Sequence, residues 1–201
     1  MKKSSVRDLD FVDPVHFTKK LAVAGNCALL MIQGESATAR SRTYFDLIAT
    51  AIEDPFYSQL RTEQQTGYIV SSSPKEIRDR LFMTFAVQSG SHCPRDLLAR
   101  FELFIEGFVR EAQLETFRER FEGLKKAQLE RRSAPFKNLN EEAGYLEYVA
   151  ENRNFDFEWK PKVSPNFVVI VFSVVFFFFL ISKTQEPPLP LAPCCHRVCY
   201  I

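Results

Sequence analysis

The stretch from Asp54 to Val70 constrains the fold more than any other part of the chain. Asp54 can cap a helix with Pro55 at its first position, where a missing N–H costs nothing. Phe56 and Leu60 then share one face. Gly67 follows the polar run Arg61–Thr66 and suits the left-handed position just past a helix end. Tyr68, Ile69 and Val70 are strand formers. The chain therefore turns with Arg61 on the last helical turn and Tyr68 at the mouth of a strand, so both polar tips can reach one cleft.

Periodicity places the remaining elements. Ala22–Ile32 is an apolar run broken by Gly25-Asn26, and Cys27–Gln33 within it is the better strand, ended by Gly34-Glu35-Ser36. From Ser41 to Glu53, Phe45, Ile48 and Ile52 recur at helical spacing with Leu47 and Ala51 beside them, and Ser36 or Ser41 can cap this helix. Pro55 interrupts it and starts the next. A strand over Tyr68–Ser72 is followed by Ser73-Pro74-Lys75-Glu76, which reads as a turn. Leu81, Met83, Phe85 and Val87 then alternate with Phe82, Thr84, Ala86 and Gln88, a strand with one strongly apolar face that can close an antiparallel hairpin.

Ser91–Pro94 opens a helix whose stripe is Leu97, Leu98, Phe101, Phe104, Ile105 and Phe108. A second helix is expected over Glu115–Arg132, with Leu114, Phe117, Phe121, Leu124 and Leu129 inward. The charged run Arg118–Arg132 on it reads as a solvated face. A third helix is expected from Asn140 to Asn152, with Leu146 and Val149 buried. Strands and helices alternate without βαβ regularity, so the fold class is α+β: an antiparallel sheet backed by helices.

At 201 residues the chain can bury one sizeable core. Its 26 basic and 25 acidic residues lend no electrostatic support to nucleic-acid binding. From Lys160 onward there are four Lys/Arg and one Glu, an excess of +3 that leaves −2 on the preceding body. Cys27 and Cys93 lie far apart in the body without metal-ligand spacing, which reads as a reduced, intracellular domain. Cys194, Cys195 and Cys199, beside His196 and prolines, are weak evidence for metal binding or lipidation.

Leu60-Arg61-Thr62, Gln65, Gly67-Tyr68 and Val70 fit the pattern L-R-T-x-x-Q-x-G-Y-x-V. This closely resembles a segment in the C-terminal half of the insulinase-type (M16) zinc metallopeptidases. The resemblance runs from about Ala28 to Trp159, with Gln88-Ser89 and Asn154-Phe155-Asp156 also at family-like positions. It implies three parts: a partial N-terminal segment (1–27), an M16 C-terminal-half α+β domain (28–159), and a divergent tail (160–201) where further helix is expected. On that view the domain is C-terminally truncated.

The family's zinc chemistry begins with H-x-x-E-H, two imidazoles on one helical face and a carboxylate to take the water's proton. That pentad does not occur in the sequence, and His16, His92 and His196 stand apart from one another. The expectation is that this chain holds no metal or cofactor and does not hydrolyse peptides alone, zinc being implied for the complete enzyme. The resemblance makes Arg61 and Tyr68 donors to the substrate backbone and the developing oxyanion, with Gln65 and Gly67 as substrate-binding positions. Read from the residues alone, Arg61 can instead cap or pair with Glu63, Tyr68 can simply pack at a strand end, and Gly67 meets a conformational need. The hairpin edge could also add a substrate strand.

The leading expectation is thus a non-zinc lobe of a zinc metalloendopeptidase, whose partners are a zinc-bearing lobe or upstream half and a peptide substrate. The alternatives are a catalytically inactive peptide- or protein-binding module, tethered to a membrane or free, and a truncated remnant. Phe167–Ile181 is apolar except for Ser173. As a helix it would span roughly 22 Å against a hydrocarbon core of ~30 Å, so 163–182 is the candidate membrane segment. Met1–Pro14 lacks the apolar core of a secretory signal. The location expected is cytoplasmic, or membrane-associated if the tail inserts.

Overall fold

A computed structural model describes residues 17–20, 22, 24–77, 79–152 and 198–200. The apolar segment 163–182, the Asn154-Phe155-Asp156 positions, His16 and His196 lie outside them. In chain order the elements are β1 (Thr18–Lys20), β2 (Asn26–Ser36), α1 (Ala39–Tyr57), a π-helical turn (Ser58–Glu63), β3 (Ile69–Ile77), β4 (Arg80–Ser89), α2 (Pro94–Glu111), α3 (Glu115–Ser133), α4 (Leu139–Asn152) and β5 (Val198–Tyr200). The sheet order is β1-β5-β2-β4-β3. Among the described residues only the short β2–β5 pairing is parallel. The α+β architecture with helices behind an antiparallel sheet is as expected.

One face of the sheet meets the helices. Cross-strand neighbours share a face, so Ala28, Val87 and Val70 form one row, and Leu30, Phe85 and Ser72 the next. Phe56 of α1 sits at the centre of the layer beneath. Its ring centroid lies 5.1 Å from that of Phe85, 5.6 Å from Phe101 and 5.1 Å from Phe104. One buried side chain thus joins α1, β4 and α2. The aromatic line continues from Phe104 through Phe108 and Phe117 to Phe121, bringing α3 into the core.

Several elements run further than local signals indicate. α1 is one helix from Ala39 to Tyr57 and contains Pro55, so Asp54 is no cap and Pro55 starts nothing. Thr38 caps it instead, in a capping box with Ser41. An internal proline costs about 3 kcal/mol, but Ile52, Phe56 and Leu60 are all fully buried on one stripe. That burial holds the helix through the proline.

β2 continues to Ser36 through an irregularity between Gln33 and Ser36. A Cβ on Gly34 would lie 2.0 Å from the Phe45 ring, so the glycine admits that ring to the strand. β3 runs on through Pro74 to Ile77, and Asp79, left-handed at φ 59°, stands just before β4. A proline is tolerable there because β3 is the sheet's outer strand. Leu114 and Leu146 are exposed, against expectation, whereas Val149 is buried. Leu114 is the N-cap of α3, in extended conformation before its first turn. The charged face of α3 is mostly exposed, yet its end docks on α1: Gln128 donates to Thr50 at 2.8 Å and Arg132 pairs with Asp46.

Candidate functional site

The site is a turn built mostly from backbone. After Tyr57 the helix widens to π geometry, and Gln64 N–H reaches Gln59 C=O at 3.0 Å, five residues back. Gln65 then takes the left-handed conformation, φ 50°. Thr66 is fully buried and returns twice to Leu60 C=O, by its N–H at 2.9 Å and its hydroxyl at 2.8 Å. This closure resembles a Schellman cap one residue wider than usual, as a π-helical ladder requires. The left-handed residue is therefore Gln65 and not Gly67, because the closing bonds set its place.

Gly67 answers a different need. A Cβ there would sit 2.1 Å from the Gln88 carbonyl oxygen and 3.1 Å from Val87 Cγ1. The glycine lets the turn lie directly on β4. Tyr68 N–H donates to the same Gln88 carbonyl at 3.1 Å, and β3 begins at once.

Arg61 and Tyr68, which the sequence places seven apart, meet at the surface. The Arg61 guanidinium carbon is 5.9 Å from the Tyr68 ring centroid. A guanidinium over an exposed aromatic ring is worth about 0.5–1 kcal/mol, enough to bias both side chains towards one place. Arg61 forms no ion pair among the described residues, so the pairing with Glu63 does not occur. Tyr68 is 85% exposed, so it does not pack at the strand end either. The pair presents a fixed positive charge with several N–H donors and a phenolic hydroxyl on one surface. Groups of that kind match a peptide carbonyl or a developing oxyanion. The Gln65 side chain is exposed on the same turn.

A supporting contact carries no strong signal in the sequence. Arg100 of α2 donates from Nη1 to Gln64 Oε1 at 2.8 Å and from Nε to Asp96 Oδ2 at 3.0 Å. The turn is thus held from α2 as well as from Leu60 and Gln88. Only the spacing of Asp96 and Arg100, four residues apart on one helix, hints at it.

Metal ligands do not gather here. Among the described residues no three His, Cys, Asp or Glu side chains form a group that could hold a metal ion. Cys27 and Cys93 form no disulfide among the described residues. His92 lies in the turn before α2, its Nδ1 2.9 Å from Ser91 Oγ and its C=O accepting from Asn26 at 2.9 Å.

Comparison with known proteins gives a consistent assignment. Residues 47–146 match the family described as PQQ synthase PqqF-like, C-terminal lobe domain 4. A nardilysin-like protein of Arabidopsis thaliana is 30% identical over 129 residues, covering 63% of this chain and 12% of the relative. Protease 3 of Escherichia coli O6:H1 is 31% identical over 124 residues, covering 61% and 13%. The insulin-degrading enzyme of Drosophila melanogaster is 27% identical over 124 residues, covering 60% and 12%. The chain therefore spans only about an eighth of the length of these relatives. The fold is shared with the crystal structure of pitrilysin at a TM-score of 0.66 and 19% identity, covering 95% of this chain and 21% of that one. By its fold, its Leu60–Val70 turn and these relatives, the chain belongs to the insulinase-type (M16) peptidase family, as a domain of the C-terminal half.

Proposed function

We propose that this domain forms one wall of the substrate chamber of an insulinase-type endopeptidase whose zinc centre lies in another lobe or chain. The observation that carries the reading is the pair of half-buried Arg61 and exposed Tyr68, held by a strained turn and without a carboxylate partner among the described residues. A left-handed Gln65 costs about 1–3 kcal/mol, and such strain gathers at functional turns. The names of two relatives, a protease and an insulin-degrading enzyme, favour polypeptide substrates.

In this reading Arg61 binds a substrate carbonyl and Tyr68 donates its hydroxyl to the oxygen that gains charge during hydrolysis. Gln65 adds an amide at the rim, and Gly67 keeps Tyr68 against β4. Zinc is implied by the family, and the residues present do not fit it: the H-x-x-E-H pentad is missing from the sequence and no ligand cluster forms among the described residues. The contribution of this chain is positioning and charge stabilisation.

The test is to capture the endogenous protein with any associated H-x-x-E-H-bearing chain and assay hydrolysis of unstructured peptides. Activity that falls on Arg61→Ala supports the reading. Activity indifferent to that change, or absent from every such assembly, sinks it in favour of a silent binding module. Among the described residues no helix is long and apolar enough to cross a membrane.

A further inference from the structure

We propose that the free edge of β3 binds an extended peptide through main-chain hydrogen bonds at Val70 and Ser72, leading its backbone to the Arg61–Tyr68 pair. The delivery rests on the reading of that pair given above; the binding does not.

Pro74 reveals which backbone groups are available. It lies within β3, in unbroken register with β4 from Ile69↔Gln88 to Ile77↔Arg80. Proline has no N–H to give to a ladder, so its nitrogen must face away from β4. In an antiparallel pair, residues two apart point their backbone groups the same way. Val70 and Ser72 therefore turn N–H and C=O to the free edge, while Ile69, Ser71 and Ser73 face β4; Tyr68, just before the strand, also donates to Gln88, the partner of Ile69, a bulge-like step that shifts the phase by one residue there. Neither outward N–H finds another backbone acceptor among the described residues. The edge offers two donor–acceptor residues, Val70 and Ser72, before Pro74, which supplies a carbonyl alone.

This short edge begins two residues after Tyr68. A rise of about 3.4 Å per residue puts the first pairing position some 7 Å from it. Beside the edge lies a cavity of about 500 Å³ lined by Thr50, Glu53, Ser72, Pro74 and Arg131, among others. Ser72 Oγ is buried there without a hydrogen-bond partner. Side chains of an added strand alternate between faces, so every second one would lie against this lining, whose mixed charges suit a polar group.

A second copy of the chain fits the edge less well. Two β3 strands paired about Ser72 would set Pro74 of each against Val70 of the other, leaving the Val70 carbonyls without a donor. Exposed Lys75 also opposes edge-to-edge association. An ordinary peptide meets neither obstacle.

The probe is a short dye-labelled peptide of alternating threonine and valine with a lysine at each end, titrated against the full chain. Ser72→Pro removes an outward donor and should leave the ladder to β4 intact. The expected result is binding weakened about tenfold or more, with one of two alternately N-methylated peptides weakened alike. Hydrogen exchange should slow at the Val70 and Ser72 amides on binding and stay unchanged at Ser71. If Ser72→Pro fails to fold, the N-methylated peptides carry the test. Equal binding of both N-methylated peptides overturns the proposal. So does a dimer formed without peptide and abolished by Ser72→Pro, which would make the occupant a second copy. Edge protection that persists while Arg61→Ala leaves hydrolysis untouched would sink the reading of the Arg61–Tyr68 pair and leave the edge standing.

Discussion

Phe56 and Tyr68 stand close together in the chain and the fold treats them in opposite ways. Phe56 is fully buried, with rings from a strand and a neighbouring helix around it. Tyr68 is almost wholly in solvent, and among the described residues its ring meets the Arg61 guanidinium. Side-chain packing holds the first. The second is held by its backbone: the Thr66–Leu60 bonds, the approach of Gly67 to Gln88 and the Tyr68–Gln88 bond. A core residue owes its place to its own shape, whereas a displayed residue owes it to neighbours that anchor the main chain and leave its side chain open to a ligand.

That contrast can be broken most forcefully at the core. Phe56→Ala should lower stability by about 3–5 kcal/mol, since it removes the ring joining α1, β4 and α2; a urea midpoint close to the native one would contradict this. Gly67→Ala should cost about 1–3 kcal/mol or more, because the added methyl meets a carbonyl oxygen in the sheet backbone and not the end of a flexible side chain. The same variant should displace Tyr68, visible as a changed tyrosine environment in heteronuclear spectra.

The next effect lies near the other end of α1. Arg42 donates from Nε and Nη2 to the two Glu76 carboxylate oxygens at 2.8 and 2.6 Å, tying the helix to β3. Arg42→Ala should cost about 1.5–3 kcal/mol, the range for hydrogen bonds to charged groups. The hydrogen bond to Glu76 raises the Arg42 pKa, outweighing the opposing effect of burial. A raised folded-state pKa contributes stability below the unfolded value and loses it only as pH rises through the folded value. This contribution should therefore be whole at neutral pH and fade only in strong alkali, so the Arg42→Ala penalty should not change between pH 6 and 8 as checked by thermal melts (a range of roughly two units around neutrality).

Gln65→Gly should be the mildest structural change, a gain of up to about 1 kcal/mol as left-handed strain is relieved, partly offset by unfolded-state entropy. Tyr68→Phe should shift stability by no more than about 0.5 kcal/mol, as exposed substitutions do. A large loss of stability in Tyr68→Phe would erase the distinction between the packed and the displayed aromatic.

Much of this fold is legible in the sequence because its periodic stretches are long. The alternation from Leu81 to Val87 gives β4 and its inward face, and the Leu97–Phe108 stripe gives α2. Pro55 and Pro74 mislead for the same reason: each is a local breaker overruled by context, one by a buried stripe and the other by an outer-strand position. The site reads differently. Arg61, Gln65, Gly67 and Tyr68 stand out as a pattern, and the structure brings Arg61 and Tyr68 together. The roles of the supporting residues do not show, because the π-turn moves the left-handed position to Gln65 and the reason for Gly67 is the Gln88 carbonyl from a distant strand. Arg100 is hidden in the same way, its partner Gln64 lying far away in sequence.

The most direct test of the central claim is peptide hydrolysis by the captured assembly, with native chain and with Tyr68→Phe, at matched thermal stability. Loss of one oxyanion donor should lower kcat by about 10²–10³. An unchanged kcat in the variant would contradict the role assigned to Tyr68 and leave this lobe a scaffold for chemistry done wholly elsewhere.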